Sequence, residues 1–234
     1  MKSAKYDYLN IITPTLNEEA NIKKLIVLIH KLYPGSHISV ADDGSKDKTQ
    51  EIVRNLARKD KTIHLIDRSK VRVKGLTASV VDGILSTKQP FFIVIDADLQ
   101  HPPEKIRNIY TLLHRYDLVI GIRKKVKSDW PLHRKLISKS AIWVGNLRLL
   151  IAGKYYKDIV SGFFGGRTKL IQKVIKKHYR KFELPGYKVL FDILKYTPRR
   201  TRVSYVKYIF GLRKEGTSKL GNKQIISYIK SIFK

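Results

Sequence analysis

The feature that most constrains this chain is an alternation. Over the first 122 residues, short apolar runs of β type take turns with stretches of helical periodicity. "YLNIIT" (8–13), "HISVA" (37–41), "TIHLID" (62–67), "FFIVID" (91–96) and "DLVIGI" (117–122) predict strands. Helices are predicted between them: "EEANIKKLIVLIHKLY", with Ile22, Leu25, Ile26, Ile29 and Leu32 on one face, then Thr49 to Lys59 and Leu76 to Ser86. A fourth, "PEKIRNIYTLLHR", opens on Pro103, where a missing N–H costs nothing. Alternation at these lengths implies an α/β fold with a mostly parallel sheet covered on both faces. Ligands bind such sheets at the carboxyl ends of the strands. The polar clusters fall there: "TPTLNE" after the first strand, "DDGS" after the second, "DADLQ" after the fourth and "GIR" after the fifth.

Beyond residue 122 the pattern changes. The loop "RKKVKSDWP" leads into a basic and apolar segment, "LHRKLISKSAIWVGNLRLLIAG" (132–153). "IVSGFFGG" (159–166) reads as a strand and glycine-rich turn, and "TRVSYVKYIF" (201–210) as an alternating strand. The terminal "NKQIISYIKSIFK" places Ile225, Ile226, Ile229, Ile232 and Phe233 on one helical face, with Lys223, Lys230 and Lys234 around the rest. Neither an internal repeat nor a low-complexity linker interrupts the chain.

Charge separates the halves. Residues 1–120 hold 19 basic and 14 acidic side chains, whereas 121–234 hold 29 and 5, within a total net charge of +29. The second half should face polyanions: nucleic acid, an anionic membrane surface or phosphorylated substrates. Cysteine is absent, which excludes a disulfide framework and thiolate metal sites and points to an intracellular protein. "MKSAKYDYLN" has no signal-peptide core, and the longest apolar candidate, "AIWVGNLRLLIAG", is broken by Arg148, so no membrane-spanning segment is expected. The apolar side of 132–153 suits an ordinary core helix. Arg134, Lys135, Lys139 and Arg148 beside Trp143 also suit a helix lying in a membrane interface, and the C-terminal helix has the same character.

Asp96 and Asp98 lie two apart, with Gln100 two further on. On an extended backbone all three project to one side. Two carboxylates and an amide oxygen suit Mg²⁺ or Mn²⁺ rather than zinc. The competing reading is a helix N-terminus decorated with acids, yet neighbouring carboxylates repel each other unless a cation is present. Asp42 and Asp43, before Gly44, fit either ligand binding or an Asx-type turn. Asn17 can cap the first helix, with Glu18 pointing into the same crevice. Glycine-rich phosphate loops are absent, and the seven His residues show no metal-ligand spacing; His101 has only its nearness to the acidic cluster.

Taken in order, "IITPTLNEEANI", "VADDGSKDKT", "IDADLQHPPE", "GIR", "WPLHRKLISKSA", "VSGFFGGR" and "FGLRKEGTSKL" resemble the dolichol-phosphate mannose synthases among the family 2 glycosyltransferases, over about residues 8–221. The resemblance implies a GT-A fold and a metal-dependent, inverting transfer of mannose from GDP-mannose to dolichyl or another polyprenyl phosphate. It implies that Pro14, Leu16, Glu18, Ala41 and Asp43 line the nucleotide pocket, with Asp43 near the base. Leu16 stands where members often carry an aromatic ring, a departure that bears on nucleotide stacking. By the same resemblance Asp96, Asp98 and Gln100 hold Mg²⁺ or Mn²⁺, Ala97 backs the nucleotide, and Arg213 and Lys219 close over the diphosphate. Arg123, Arg134 and Ser138 would grip the acceptor phosphate, and catalysis would rest on Asp98, Arg123 and Arg134. The catalytic domain would be 1–221, with a nucleotide-binding half (1–122) and an acceptor-binding half (123–221), followed by an amphipathic helix (222–234). Some members continue into transmembrane hairpins, so the expected setting is peripheral, on the cytoplasmic face of an anionic membrane, with room for a separate membrane-anchoring subunit. Two alternatives stand beside this: a polyprenyl-phosphate glucosyltransferase using UDP-glucose, and a basic nucleic-acid-binding protein. The second lacks any nucleic-acid motif and leaves the acidic crevice unexplained.

Overall fold

The alternation is realised as one mixed sheet. In the computed structural model, which describes residues 5–126, 143–212 and 222–234, the strands are β1 (Leu9–Thr15), β2 (His37–Asp42), β3 (Ile63–Asp67), β4 (Phe91–Val94), β5 (Leu118–Val126), β6 (Phe164–Arg167) and β7 (Val203–Phe210). They lie in the order β3-β2-β1-β4-β6-β5-β7. Every pairing is parallel except those of β6, which runs antiparallel to β4 and β5. The helices are α1 (Glu19–Leu32), α2 (Thr49–Lys59), α3 (Leu76–Ser86), α4 (Ile106–Leu113), α5 (143–151), α6 (Thr168–His178), α7 (Val189–Tyr196) and α8 (Asn222–Phe233).

Strand geometry sorts the apolar side chains into two cores. Ile11 of β1 joins Ile22, Leu25 and Ile29 of α1 and Ile109 of α4 on one face. The next residue, Ile12, joins Val80 and Ile84 of α3, Ile171 of α6 and Leu190 of α7 on the other. All of these are fully buried, and each such side chain contributes about 1.5–3 kcal/mol relative to exposure. With both faces covered, β1 is buried at every position rather than at alternate ones.

The reading of 159–166 needs correction. The strand starts only at Phe164, and Gly165 and Gly166 lie inside it rather than in a turn. A Cβ on Gly165 would stand 2.8 Å from the Phe92 carbonyl oxygen and 2.8 Å from Ile93 Cγ1. Glycine is what lets β6 close onto β4.

Two helices turn apolar residues outward. In α5 the inward residues are Gly145, Asn146 and Leu149, and a Cβ on Gly145 would have to displace the ends of the Tyr228 side chain of α8 and of Ile159. Asn146 Nδ2 donates to the Tyr156 carbonyl at 2.9 Å, and its Oδ1 accepts the Tyr156 N–H at 3.1 Å. Trp143 (70% exposed), Leu147, Leu150 and Ile151 (80%) face away from the core. An ordinary core helix is therefore not what the described part of 132–153 forms; residues 132–142 lie outside the described residues.

The single apolar face expected of α8 is likewise divided. Ile232 and Tyr228 are buried, whereas Ile226, Ile229 and Phe233 (84%) are exposed; the side chain of Ile225 is outside the described set. The cause is polar. On α7, buried Asp192 and Lys195 pair at 2.9 Å and need hydrogen-bond partners. Ser231 of α8 supplies them: its Oγ donates to Asp192 Oδ1 at 2.6 Å, and its carbonyl accepts from Lys195 Nζ at 2.5 Å. Lys234 adds an ion pair to Glu183 at 2.5 Å. Among the described residues, no helix is long and apolar enough to cross a membrane.

Asp192→Ala should cost about 3–5 kcal/mol, because it strands the Lys195 charge, and should lower the urea midpoint accordingly. Asp192→Leu combined with Lys195→Met should recover most of that loss. Equal losses in the single and double variants would mean that the ion pair does not hold the base of α8.

Candidate active site

The carboxyl ends of β1, β2 and β4 open on one cleft of about 380 Å³. Its rim is built by lacing the first two loops together. Asn17 has φ 51°, a conformation asparagine tolerates better than most residues. Its N–H donates to Ser45 Oγ at 2.8 Å, and its Oδ1 accepts the Lys46 N–H at 2.8 Å. The Glu18 N–H donates to Thr49 Oγ1 at 2.8 Å. Asn17 thus braces the second loop and does not cap α1, whose N-cap position is Glu18.

The adjacent aspartates have divided roles. Asp42 is fully buried and accepts from Thr15 Oγ1 (3.1 Å), the N–H groups of Gly44 (3.1 Å) and Ser45 (2.8 Å), and Gln50 Nε2 (2.6 Å). This is the Asx-type turn. Asp43 lines the cleft instead. Its carboxylate pairs with Arg68 and accepts the Gly75 N–H at 2.7 Å. Burial pushes its carboxyl above the ordinary value, opposed by the Gly75 N–H and the Arg68 charge. Arg68, itself buried, also donates to Asp82 Oδ2 (2.7 Å), Ser79 Oγ (3.0 Å) and the Val73 carbonyl (2.8 Å). One guanidinium thereby fixes the wall from β2 to α3.

After β4 the backbone does not stay extended. The strand ends at Val94, residues 97–98 form a turn and Leu99 takes φ 60°. Asp96, Asp98 and Gln100 nevertheless all line the cleft, with Ala97, so a turn brings them together and strand alternation does not. That turn is pinned to the end of β7. Asp98 Oδ1 accepts the Gln100 N–H at 3.1 Å, Gln100 Nε2 donates to the Gly211 carbonyl at 3.1 Å, and the Gly211 N–H donates back to the Gln100 carbonyl at 2.8 Å.

His101 forms the wall behind this turn. It is 3% exposed, stacked on Phe163 and met edge-on by Tyr208 and Phe210. Its Nδ1 lies 3.4 Å from Asp96 Oδ2. Burial pushes the imidazole down to about 4, so the ring is neutral near pH 7 and contributes shape rather than charge. On the other side, a Cβ on Gly162 would stand 2.8 Å from Asp96 Oδ2. Asp96 thus sits in a slot that a methyl group would fill. Two carboxylates and an amide oxygen before a neutral wall fit a hard divalent cation such as Mg²⁺ or Mn²⁺. Among the described residues there is no group of three or more His, Cys, Asp and Glu that would make a fuller cage, so water and phosphate oxygens would complete the shell.

Arg123, within β5 at the register irregularity between 123 and 125, also lines the cleft and approaches Asp158 at 3.4 Å. Pro14, Leu16 and Glu18 line the rim. Ala41 is buried within β2, between Pro14 and Ile66, and does not reach the cleft. Arg134, Ser138, Arg213 and Lys219 lie outside the described residues. The cleft also contains residues that sequence reasoning passed over: Gly75, Gly162, the segment Pro185–Lys188, Tyr208 and Phe210. Only His101 carried a local signal, its place beside the acidic turn.

Arg68→Met should leave Asp43 and Asp82 without their shared cation. The expected loss is on the order of 3 kcal/mol, read as a lower urea midpoint, with Arg68→Lys intermediate. A midpoint equal to that of the parent would show that the cation does not hold this wall.

Residues 10–183 match the model of glycosyl transferase family 2. The chain is 37% identical over 233 residues to the dolichol-phosphate mannosyltransferase of Pyrococcus furiosus, covering 97% of this chain and 63% of that protein, and so spans less than two thirds of that relative. It is 31% identical over 239 residues to the dolichol-phosphate mannosyltransferase of Saccharomyces cerevisiae, covering 95% of this chain and 85% of that one. Among solved structures it is similar to glucosyl-3-phosphoglycerate synthase from Mycobacterium tuberculosis in complex with Mn²⁺, UDP and glucosyl-3-phosphoglycerate, with TM-score 0.67, 20% identity and coverage of 96% and 79%. At that identity the likeness is one of fold. On sequence and architecture together, the chain belongs to glycosyl transferase family 2 and has its GT-A fold.

Proposed function

We propose that this chain transfers mannose from GDP-mannose to dolichyl phosphate, or a related polyprenyl phosphate, with Mg²⁺ or Mn²⁺, at the cytoplasmic face of a membrane. The observation that carries the reading is the meeting in one cleft of the Asp96–Asp98–Gln100 oxygen set, the Asp43 wall and the Arg123 wall. The names of the curated relatives support it.

In this reading Pro14, Leu16, Glu18 and Asp43 receive the nucleotide, with Asp43 at the base and Leu16 giving an apolar edge in place of a ring. Ala41 lies beneath them, and Ala97 backs the nucleotide. Asp96, Asp98 and Gln100 hold the divalent ion, which when bound supplies Lewis-acid stabilisation of the departing diphosphate. Arg213 and Lys219 close over that diphosphate. The acceptor needs no strong base, because a phosphate monoester with a second pKa of about 6 is already anionic near neutral pH. The protein's task is alignment. Arg123, with Arg134 and Ser138, holds the acceptor phosphate so that its oxygen bonds to the anomeric carbon as the bond to the GDP oxygen breaks. One in-line displacement inverts that carbon, so an α-linked donor gives a β-linked lipid product.

The outward residues of α5 and α8 support the membrane setting. These helices touch at Gly145 and Tyr228, so Trp143, Leu147, Leu150, Ile226, Ile229 and Phe233 belong to neighbouring exposed faces. Apolar faces on a strongly basic half-chain suit an anionic interface, where each basic residue near the surface adds about 1 kcal/mol.

With a short phosphoprenol as acceptor, GDP-mannose should turn over faster than UDP-glucose. The reverse preference would replace the donor, and no transfer from either would remove the reading. Asp98→Ala should lower transfer by about 10²–10³-fold or more while keeping the far-UV spectrum; near-parental rates would unseat the metal assignment. Ile229→Glu with Phe233→Glu should reduce flotation with anionic liposomes, and unchanged flotation would show that α8 does not meet the membrane.

A further inference from the structure

The wall formed by Pro185–Lys188 has no role in the reading above, yet its construction is exacting. Its backbone caps a helix: the Leu184 and Gly186 carbonyls accept the Ala78 and Thr77 N–H groups of α3 at 3.1 and 2.9 Å, satisfying donors that a helix start leaves open. Gly75, at φ 143°, fits only because it has no Cβ, which would stand 2.6 Å from the Leu184 carbonyl oxygen. The segment that ends in Lys188 is therefore tied to the nucleotide side of the cleft.

Lys188 occupies the N-cap position of α7. That position favours Ser, Thr, Asp or Asn, and a cation there opposes the positive end of the helix dipole. Local stability disfavours this residue at this place, as is common where a side chain serves a ligand. Its ammonium lies 4.3 Å from the centre of the Tyr187 ring and donates to the Val160 carbonyl at 3.2 Å. The Val160 N–H donates to Asp158 Oδ1 at 3.2 Å, and the other oxygen of Asp158 approaches Arg123 Nη2 at 3.4 Å. One short turn, 158–160, thus holds both cations that line the cleft here, Arg123 through the Asp158 carboxylate and Lys188 through the Val160 carbonyl.

We propose that Lys188 is a substrate-positioning residue that, together with Arg123, receives the phosphate monoester of the lipid acceptor. This rests on the functional reading above and adds to it a contact from the Pro185–Lys188 wall of the cleft. The phosphate would lie between two cations held on separate elements, β5 and the start of α7, with its attacking oxygen directed toward the acidic turn.

The test uses Lys188→Met and Lys188→Arg in the full chain, after confirming that both melt near the parental temperature. Lys188→Met should raise the KM for citronellyl phosphate about 10- to 100-fold, the range expected for a lost charge-assisted hydrogen bond. GDP affinity in Mn²⁺ should stay within about twofold, and Lys188→Arg should restore most of the acceptor affinity. Equal losses of acceptor and GDP affinity would move Lys188 to the donor side and overturn the proposal, as would an acceptor KM unchanged in Lys188→Met. Equilibrium binding of citronellyl phosphate against citronellol separates the two levels. If the parent chain does not prefer the phosphate, the acceptor reading itself fails and takes this proposal with it. If the parent prefers it and Lys188→Met does so equally, only the Lys188 assignment falls.

Discussion

Asp96 and Asp98 share one turn that lines the cleft, neighbouring carboxylates repel each other unless a cation is present, and the rest of the site can be understood as an answer to that repulsion. The wall nearest them is neutral, because burial keeps His101 uncharged. A cation lining the same cleft, Arg123, approaches Asp158 at 3.4 Å. In the proposed function the turn would receive a divalent ion, and that ion a diphosphate. The turn holds its shape because Gln100 and Gly211 exchange hydrogen bonds, which joins the acidic loop to the end of β7. Site geometry and sheet order are therefore one problem. Only with β6 inserted antiparallel between β4 and β5 do Gly162, Arg123 and the end of β7 arrive around the same turn.

Much of this was legible in the sequence, for a definite reason. The parallel half carries its own periodicities, and the polar clusters "DDGS" and "DADLQ" interrupt them where strands end. Asp43, Asp96, Asp98, Gln100 and Arg123 accordingly reach the cleft. What could not be read were features set by distant partners. Asn17 looked like a helix cap but braces a loop some thirty residues away. Extended geometry was the natural assumption for 96–100, yet a left-handed Leu99 and the end of β7 determine its path. Gly165 and Gly166 resembled a turn because nothing local reveals how closely β4 approaches. Lys188 carried no signal at all, since its significance lies in Asp158 and Val160, which arrive from another part of the chain.

The same distinction explains α8. Helical periodicity correctly gave the helix but not its rotation, because Asp192 and Lys195 on α7 draw Ser231 inward. Ser227 and Ser231 share the buried side with Tyr228 and Ile232, and three large apolar side chains take the outer one. Beside them α5 does likewise, with Gly145 and Asn146 inward and Trp143 outward. Both helices leave large apolar side chains exposed on a half-chain carrying 29 basic and 5 acidic residues, and the proposed membrane setting rests on that combination.

The central claim, that the acidic turn is a divalent-metal site serving a nucleotide diphosphate, is tested most directly by anomalous diffraction from crystals grown with Mn²⁺ and GDP. The account predicts one strong manganese peak within about 2.0–2.6 Å of carboxylate oxygens of Asp96 or Asp98 and of a diphosphate oxygen. GDP bound in the cleft with no manganese at that turn, or manganese bound only elsewhere on the protein, would contradict it.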